Sequence, residues 1–226
     1  MTQIVIIGSG GLAAQITSGY QGFENTPSGS YRDLSLKGYI DYEYNIDKYW
    51  KRYHLDKPVL NDIDNYKVVE EEYFVVGIAD IDFRKVVINK IKEKGGRFIN
   101  IIHPTAIVEK NAIFGTGNII GPYCLVGPNA KVGDFNVILA QSIVSHDCVV
   151  GSNNIFSTSL LTGHVKVGDD NFFGVRSTVI PHINIGNRNK IQAGMIVDND
   201  VSEDSVVFHR FKEKILVIPK DSSHKE

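Results

Sequence analysis

Ile119-Ile120-Gly121-Pro122-Tyr123-Cys124-Leu125-Val126-Gly127-Pro128-Asn129-Ala130-Lys131-Val132-Gly133 repeats itself every six residues. Each unit is a short extended pair followed by a turn. Stepping by six from Ile107 to Val197 meets fifteen apolar residues in sixteen positions, Lys131 being the exception, where a composition 42% apolar would give about seven. Such a period is read before any other feature. Three units close a triangular coil, coils stack about 4.8 Å apart at ordinary strand spacing, and the apolar column is expected to fill the axis. The expectation is a parallel β-helix of about five coils over residues 101–226.

The neighbouring column, Val108 to Phe156, is apolar as well, but continuing it by six gives Thr162, Gly168 and Gly174. The aliphatic-Gly pairs show the same change, from Val126-Gly127 and Val150-Gly151 to Val167-Gly168 and Ile185-Gly186. One turn between Phe156 and Val167 is therefore a residue short. It falls just after Ser145-His146-Asp147.

Residues 1–100 follow another pattern. Ile4-Val5-Ile6-Ile7 reads as a buried strand, Gly8-Ser9-Gly10-Gly11 as a turn, and Leu12 to Tyr20 as the start of a helix. Further strands are predicted at Lys37 to Asp41, Pro58 to Leu60 and Tyr73 to Ile78, with a helix from Phe83 to Lys94. Strand and helix in alternation imply a small parallel, Rossmann-like sheet. Residues 21–36 and Tyr42 to Tyr53 are read as loops or local elaborations.

Composition narrows the function classes. With 24 basic and 26 acidic residues the net charge is −2, and no run of five like charges occurs, which argues against nucleic acid or an anionic membrane as partner. No apolar stretch approaches the ~18 residues of a transmembrane helix, and the start lacks a secretory pattern. A cytoplasmic protein without membrane insertion is expected. Cys124 and Cys148 are too few for a disulfide framework and read as buried thiols.

These motifs resemble the left-handed β-helix, hexapeptide-repeat acyltransferases, in particular the two-domain group of sialic-acid O-acetyltransferases and nucleotide-amino-sugar N-acetyltransferases. The matching pieces are Val5 to Gly11, Gly38-Tyr39-Ile40-Asp41, Ile102-His103-Pro104-Thr105-Ala106, Val144 to Gly151 and Ala193-Gly194. Left-handedness comes from the resemblance alone, since parallel crossovers otherwise favour the opposite hand. The chain departs from the group at Leu12 and Tyr42, where His and an acidic residue are usual. It departs again at Ile155, where one branch has a second His, and at Val207 to Phe211 in place of a Gly-x-Pro-Ala turn.

The resemblance implies an acetyl-CoA-dependent transferase that acetylates the amino group of a nucleotide-linked amino sugar for surface-glycan biosynthesis. O-acetylation of sialic acid or another sugar hydroxyl is the alternative. An imidazole, with an ordinary pKa of ~6.5, can take a proton from an attacking amine, and a carboxylate can orient it. His146 is the candidate base and Asp147 its helper, although neighbouring side chains on a strand point apart unless a corner brings them together. The short turn moves Gly163 beside His146, where its N–H could face the thioester oxyanion. By resemblance Gly163, Val175, Ala193 and Gly194 hold acetyl-CoA between subunits of a homotrimer, and Ser9, Gly10, Gly11 and Asp41 line the acceptor site.

Rival readings stand beside these. The G-x-G-x-x-A pattern of Gly8 to Ala13 suits a nucleotide phosphate or NAD(P), but Asp41 lies farther on than the ~20 residues a dinucleotide site wants; a tight structural turn is the third option. A noncatalytic β-helix scaffold is another. His146, His164 and His182 are eighteen apart, as in a metal-binding β-helix, yet the short turn is expected to spoil their stacking, and no metal is expected. Arg84 could meet a phosphate. Cys148 is the one candidate for a covalent acetyl-enzyme, and direct transfer is preferred.

Overall fold

The computed structural model describes residues 2–24, 34–42, 52 and 58–209. Its first unit is β1 (Thr2–Ile7), α1 (Gly11–Glu24), β2 (Leu34–Ile40), β3 (Val59–Asn61), β4 (Glu72–Val76), α2 (Ile81–Glu93) and β5 (Arg97–Phe98). All pairs are parallel, in the order β3-β2-β1-β4-β5. The alternation seen in the sequence thus gives a Rossmann-like sheet whose strand order reverses at β1 and β4. The loop expected at 21–36 does not hold at either end, where α1 runs to Glu24 and β2 begins at Leu34, and residues 25–33 lie outside the described residues. The elaboration at Tyr42 to Tyr53 lies almost wholly outside the described residues.

From Ile101 the chain winds a left-handed parallel β-helix of two-residue strands, β6 to β23. Its three faces hold six, five and seven strands, so the stack runs slightly past the five coils expected. Corners are closed by residues with φ near +60°, among them Asn129 (59°), Asp147 (58°), His164 (63°) and His182 (67°). Asn and Asp accept this left-handed conformation more readily than most side chains.

The short turn is the corner Ser157–Ser159, three residues between β15 (Ile155–Phe156) and β16 (Leu160–Leu161). Leu125 pairs with Ile143, but Ile143 pairs with Leu160, one residue sooner than the hexad predicts. This corrects the assignment of the axis. Before the corner the core column is Val108 to Phe156, while Ile107 and Ile113 point outward; after it the sixfold series from Leu161 to Val197 turns inward. Both columns are apolar because the outward positions on one face, Ile101, Ile119, Val137 and Ile155, pack against Ile4, Ile6, Ala13 and Ile16 of the first unit. That shared cluster seats the α/β unit on the prism.

Candidate active site

Backbone geometry creates the first pocket. In an open parallel sheet a crevice forms beyond the strand ends where the order reverses. The loops after β1 and β4 enclose such a crevice of about 380 Å³, lined by Gly8, Ser9, Gly10, Gly11, Leu12, Asp41, Gly77 and Phe83. All four residues expected at the acceptor site are therefore together. Their roles differ: Asp41 is buried, and its Oδ2 accepts bonds from the Ser9 N–H (2.8 Å) and Oγ (2.6 Å) while Oδ1 accepts from the Tyr42 N–H (2.7 Å). Asp41 and Ser9 fix the turn. Gly10 and Gly11 open the N-terminus of α1, whose unpaired N–H groups suit an anion. Arg84 is not among the lining residues; it is fully buried, donates to the Phe135 carbonyl at 2.7 Å, and desolvation lowers its pKa to about 10.

A second groove, of about 600 Å³, runs between α1 and the prism edge at the corners that follow Ile102, Ile120, Ile138, Phe156 and Phe173. Leu12, Gln15 and Ile16 form one wall, one turn apart on α1, and His103, Pro122, Ala140, Thr158 and Val175 form the other. Leu12 borders both pockets. The sequence flagged Leu12 only as a departure and gave no role to Gln15 or His103; their i, i+3, i+4 spacing and the His-Pro step were the available signals.

His146 and Asp147 occupy the corner between β13 (Ile143–Val144) and β14 (Val149–Val150). Here adjacent side chains do converge, since Asp147 has φ +58°. His146 Nδ1 lies 2.8 Å from Asp147 Oδ2, and Asn129 Nδ2 donates to Asp147 Oδ1 at 3.1 Å. The bonds from His146 and Asn129 hold the Asp147 carboxyl below the usual carboxylate range. With Nδ1 engaged, Nε2 of the half-exposed ring is the atom left for a substrate.

Gly163 sits beside that ring, as the short corner requires. A Cβ there would stand 2.5 Å from His146 Cε1 and 2.6 Å from Nε2, so any side chain would push the imidazole aside. The Gly163 carbonyl accepts from the His182 N–H at 3.2 Å, and its own N–H has no acceptor among the described residues. Cys148 is fully buried, its thiol donates to the Thr162 carbonyl at 3.0 Å, and burial raises its pKa.

The short corner spoils the three-ring stack, as expected, but leaves the rings in contact. His146 meets His164 edge-to-face at 5.2 Å, and His164 stacks on His182 at 4.8 Å with planes 7° apart. The space left by Gly163 lets the His146 ring lean across to its neighbour's column. The residues expected to hold acetyl-CoA between subunits are split between two edges of the prism. Val175, Ala193 and Gly194 lie on corners after β18 (Phe172–Phe173) and β21 (Lys190–Ile191), along the opposite edge of the six-stranded face from His146 and Gly163. A single chain does not bring the two sets together.

No protein-family model matches the chain, nor does any curated protein. Solved structures do. PerB from Caulobacter crescentus, in complex with CoA and GDP-perosamine, is 25% identical, with 90% of this chain and 92% of that one covered at a TM-score of 0.77. A structure of the perosamine N-acetyltransferase from the same organism, with a histidine replaced by asparagine, is 23% identical over 90% and 92% at 0.75. The acetyltransferase domain of PglB from Neisseria gonorrhoeae is 17% identical over 91% and 96% at 0.76. Likeness on this scale runs through the sheet and the coil alike, and in fold and hexad motifs the chain resembles the left-handed β-helix, hexapeptide-repeat acetyltransferases.

Proposed function

We propose that the chain transfers an acetyl group from acetyl-CoA to the amino group of a nucleotide-linked amino sugar destined for a surface glycan, with His146 as general base. The observation that carries this reading is the His146–Asp147 pair, oriented by Asn129 and left room by Gly163. The neutral amine attacks the thioester carbonyl, and Nε2 of His146 takes the proton the nitrogen sheds. The Gly163 N–H stabilises the oxyanion. As the C–S bond breaks, the coenzyme thiolate leaves and recovers a proton from His146. Proton transfer of this kind contributes about 10²- to 10⁴-fold in rate. Direct transfer fits a buried, protonated Cys148 that accepts no acyl group.

The nucleotide end of the acceptor belongs in the crevice at Ser9, Gly10, Gly11 and Asp41, and the pantetheine arm along Gly163, Val175, Ala193 and Gly194. Because the donor residues lie on two edges of one face, a neighbouring copy must complete the site. That face presents Ile107 and Ile196, 58% and 64% exposed, in line with the part-buried Leu125, Ile143 and Leu160, an apolar strip suited to self-association as a homotrimer. No helix among the described residues is long and apolar enough to cross a membrane. We place the reaction in the cytoplasm, where acetyl-CoA is available.

Thiol release from acetyl-CoA, measured with a panel of uridine-, thymidine- and guanosine-diphosphate amino sugars and free sialic acid, tests the reading. One amino sugar should support turnover, and His146→Ala should abolish it without changing the melting temperature. Turnover with sialic acid alone would shift the acceptor to a hydroxyl. Near-wild-type turnover by His146→Ala would refute the mechanism.

A further inference from the structure

His146, Asp147 and His164 each present one ligand atom within 4.8 Å of the other two. Asp147 Oδ2 lies 2.8 Å from His146 Nδ1 and 3.9 Å from His164 Nε2. Ligand atoms about 2.0–2.1 Å from a tetrahedral ion stand roughly 3.3 Å apart, a value those two distances bracket. The side chains are 52%, 37% and 49% exposed, so small rotations close the gap without repacking the core.

The backbone holds the three in place. Asp147 and His164 sit at stacked corners, and the His164 N–H donates to the His146 carbonyl at 3.1 Å. From behind, Asn129 fixes the free oxygen of Asp147, and the ring of His182 lies flat on His164. Partners of this kind orient metal ligands and raise affinity. Two imidazoles and one carboxylate suit zinc, cobalt or nickel rather than magnesium or calcium.

We propose that His146, Asp147 and His164 bind a divalent transition metal of the zinc type, with water in the fourth position, and that the bound ion switches off the catalytic base. Binding takes Nδ1 and Asp147 Oδ2, so the imidazole proton moves from Nδ1 to Nε2, which then has no lone pair for the amine's proton, and the hydrogen bond that aims the ring is lost. The ion is an inhibitor, so transfer itself needs no metal. The inhibition rests on the acetyltransferase reading, whereas binding of the ion does not.

Cobalt(II) added to chelator-treated protein reports coordination through its visible absorption. The wild type should give the intense spectrum of a tetrahedral site, displaced by zinc. His164→Asn, which keeps a residue suited to the left-handed corner, should bind cobalt about tenfold more weakly or worse. In thiol-release assays zinc should inhibit the wild type, chelator should restore it, and His164→Asn should keep its rate in zinc. Equal cobalt affinity in the two proteins, or a six-coordinate spectrum in the wild type, would overturn the site; tetrahedral binding without inhibition would overturn the switch. If metal-free wild type transfers no acetyl group, the proposed function fails, and the cobalt titration decides the site on its own.

Discussion

Gly163 shows what one absent side chain does. A methyl at this position would occupy the volume of the His146 ring edge, and the ring, half exposed, would swing outward rather than the backbone yielding. Gly163→Ala should therefore lower kcat by about 10² or more, the scale of losing a well-placed base, while leaving the melting temperature nearly unchanged; a kcat within threefold of wild type would remove Gly163 from the site. Asp147→Asn should lower kcat by about 10- to 100-fold, as loss of an orienting partner does. Its carboxyl is held below the ordinary range by His146 and Asn129, so in the native protein it stays ionised as pH falls from 8 to 5. A fall in rate over that interval therefore does not come from Asp147. Cys148→Ala should retain turnover, because the thiol is buried and its pKa raised. The pairing of His146 with Gly163 was legible as arithmetic on the hexads. The contact of His146 with His164 was not, because it depends on where a side chain leans once its neighbour has none.

Along each corner of the prism, stacking turns single side chains into ladders. Asn118, Asn136, Asn154, Asn171 and Asn189 are all buried, and the Oδ1 of each of the first four accepts the next one's backbone N–H at 2.8 to 2.9 Å. Asn136 and Asn154 also donate through Nδ2 to Gly151 and Gly168 carbonyls. Removing one rung leaves buried groups without partners, at about 1–3 kcal/mol apiece. Asn136→Ala should thus cost about 2–4 kcal/mol, read as a lowered denaturation midpoint. Inside, Phe156 and Phe173 stack at 4.7 Å, and Phe173→Ala should cost about 3–5 kcal/mol. The strands were readable from period six, but which of two apolar columns fills the axis was not. The outward column is apolar for a reason outside its own element, namely the α/β unit packed on it.

The two units meet through more than apolar contact. α2 lies along a prism edge, where Asn153 Nδ2 donates to the Ile81 carbonyl at 3.2 Å and Lys85 pairs with Asp170 at 2.7 Å. Arg84 sits between them with Nε and Nη1 unpartnered among the described residues. An unpaired buried cation costs stability that a well-packed apolar residue of similar length does not. Arg84→Met should leave thermal stability unchanged or raise it, despite the lost bond to Phe135. A fall of several degrees would show that the guanidinium holds the units together. Sequence alone offered Arg84 to a phosphate because its partner, the Phe135 carbonyl, is fifty-one residues away and belongs to the other unit.

The three-residue corner at Ser157–Ser159 also lines the long groove, through Ser157 and Thr158. It is a notch in the ridge that faces α1. A solenoid can lose or gain a residue at a corner while every rung of its ladder stays paired, so the depth of that notch can change without touching the core. Trimming and lengthening corners is in this architecture a means of reshaping the cleft at little cost to folding, and here one trimmed corner has also drawn a glycine alongside the base.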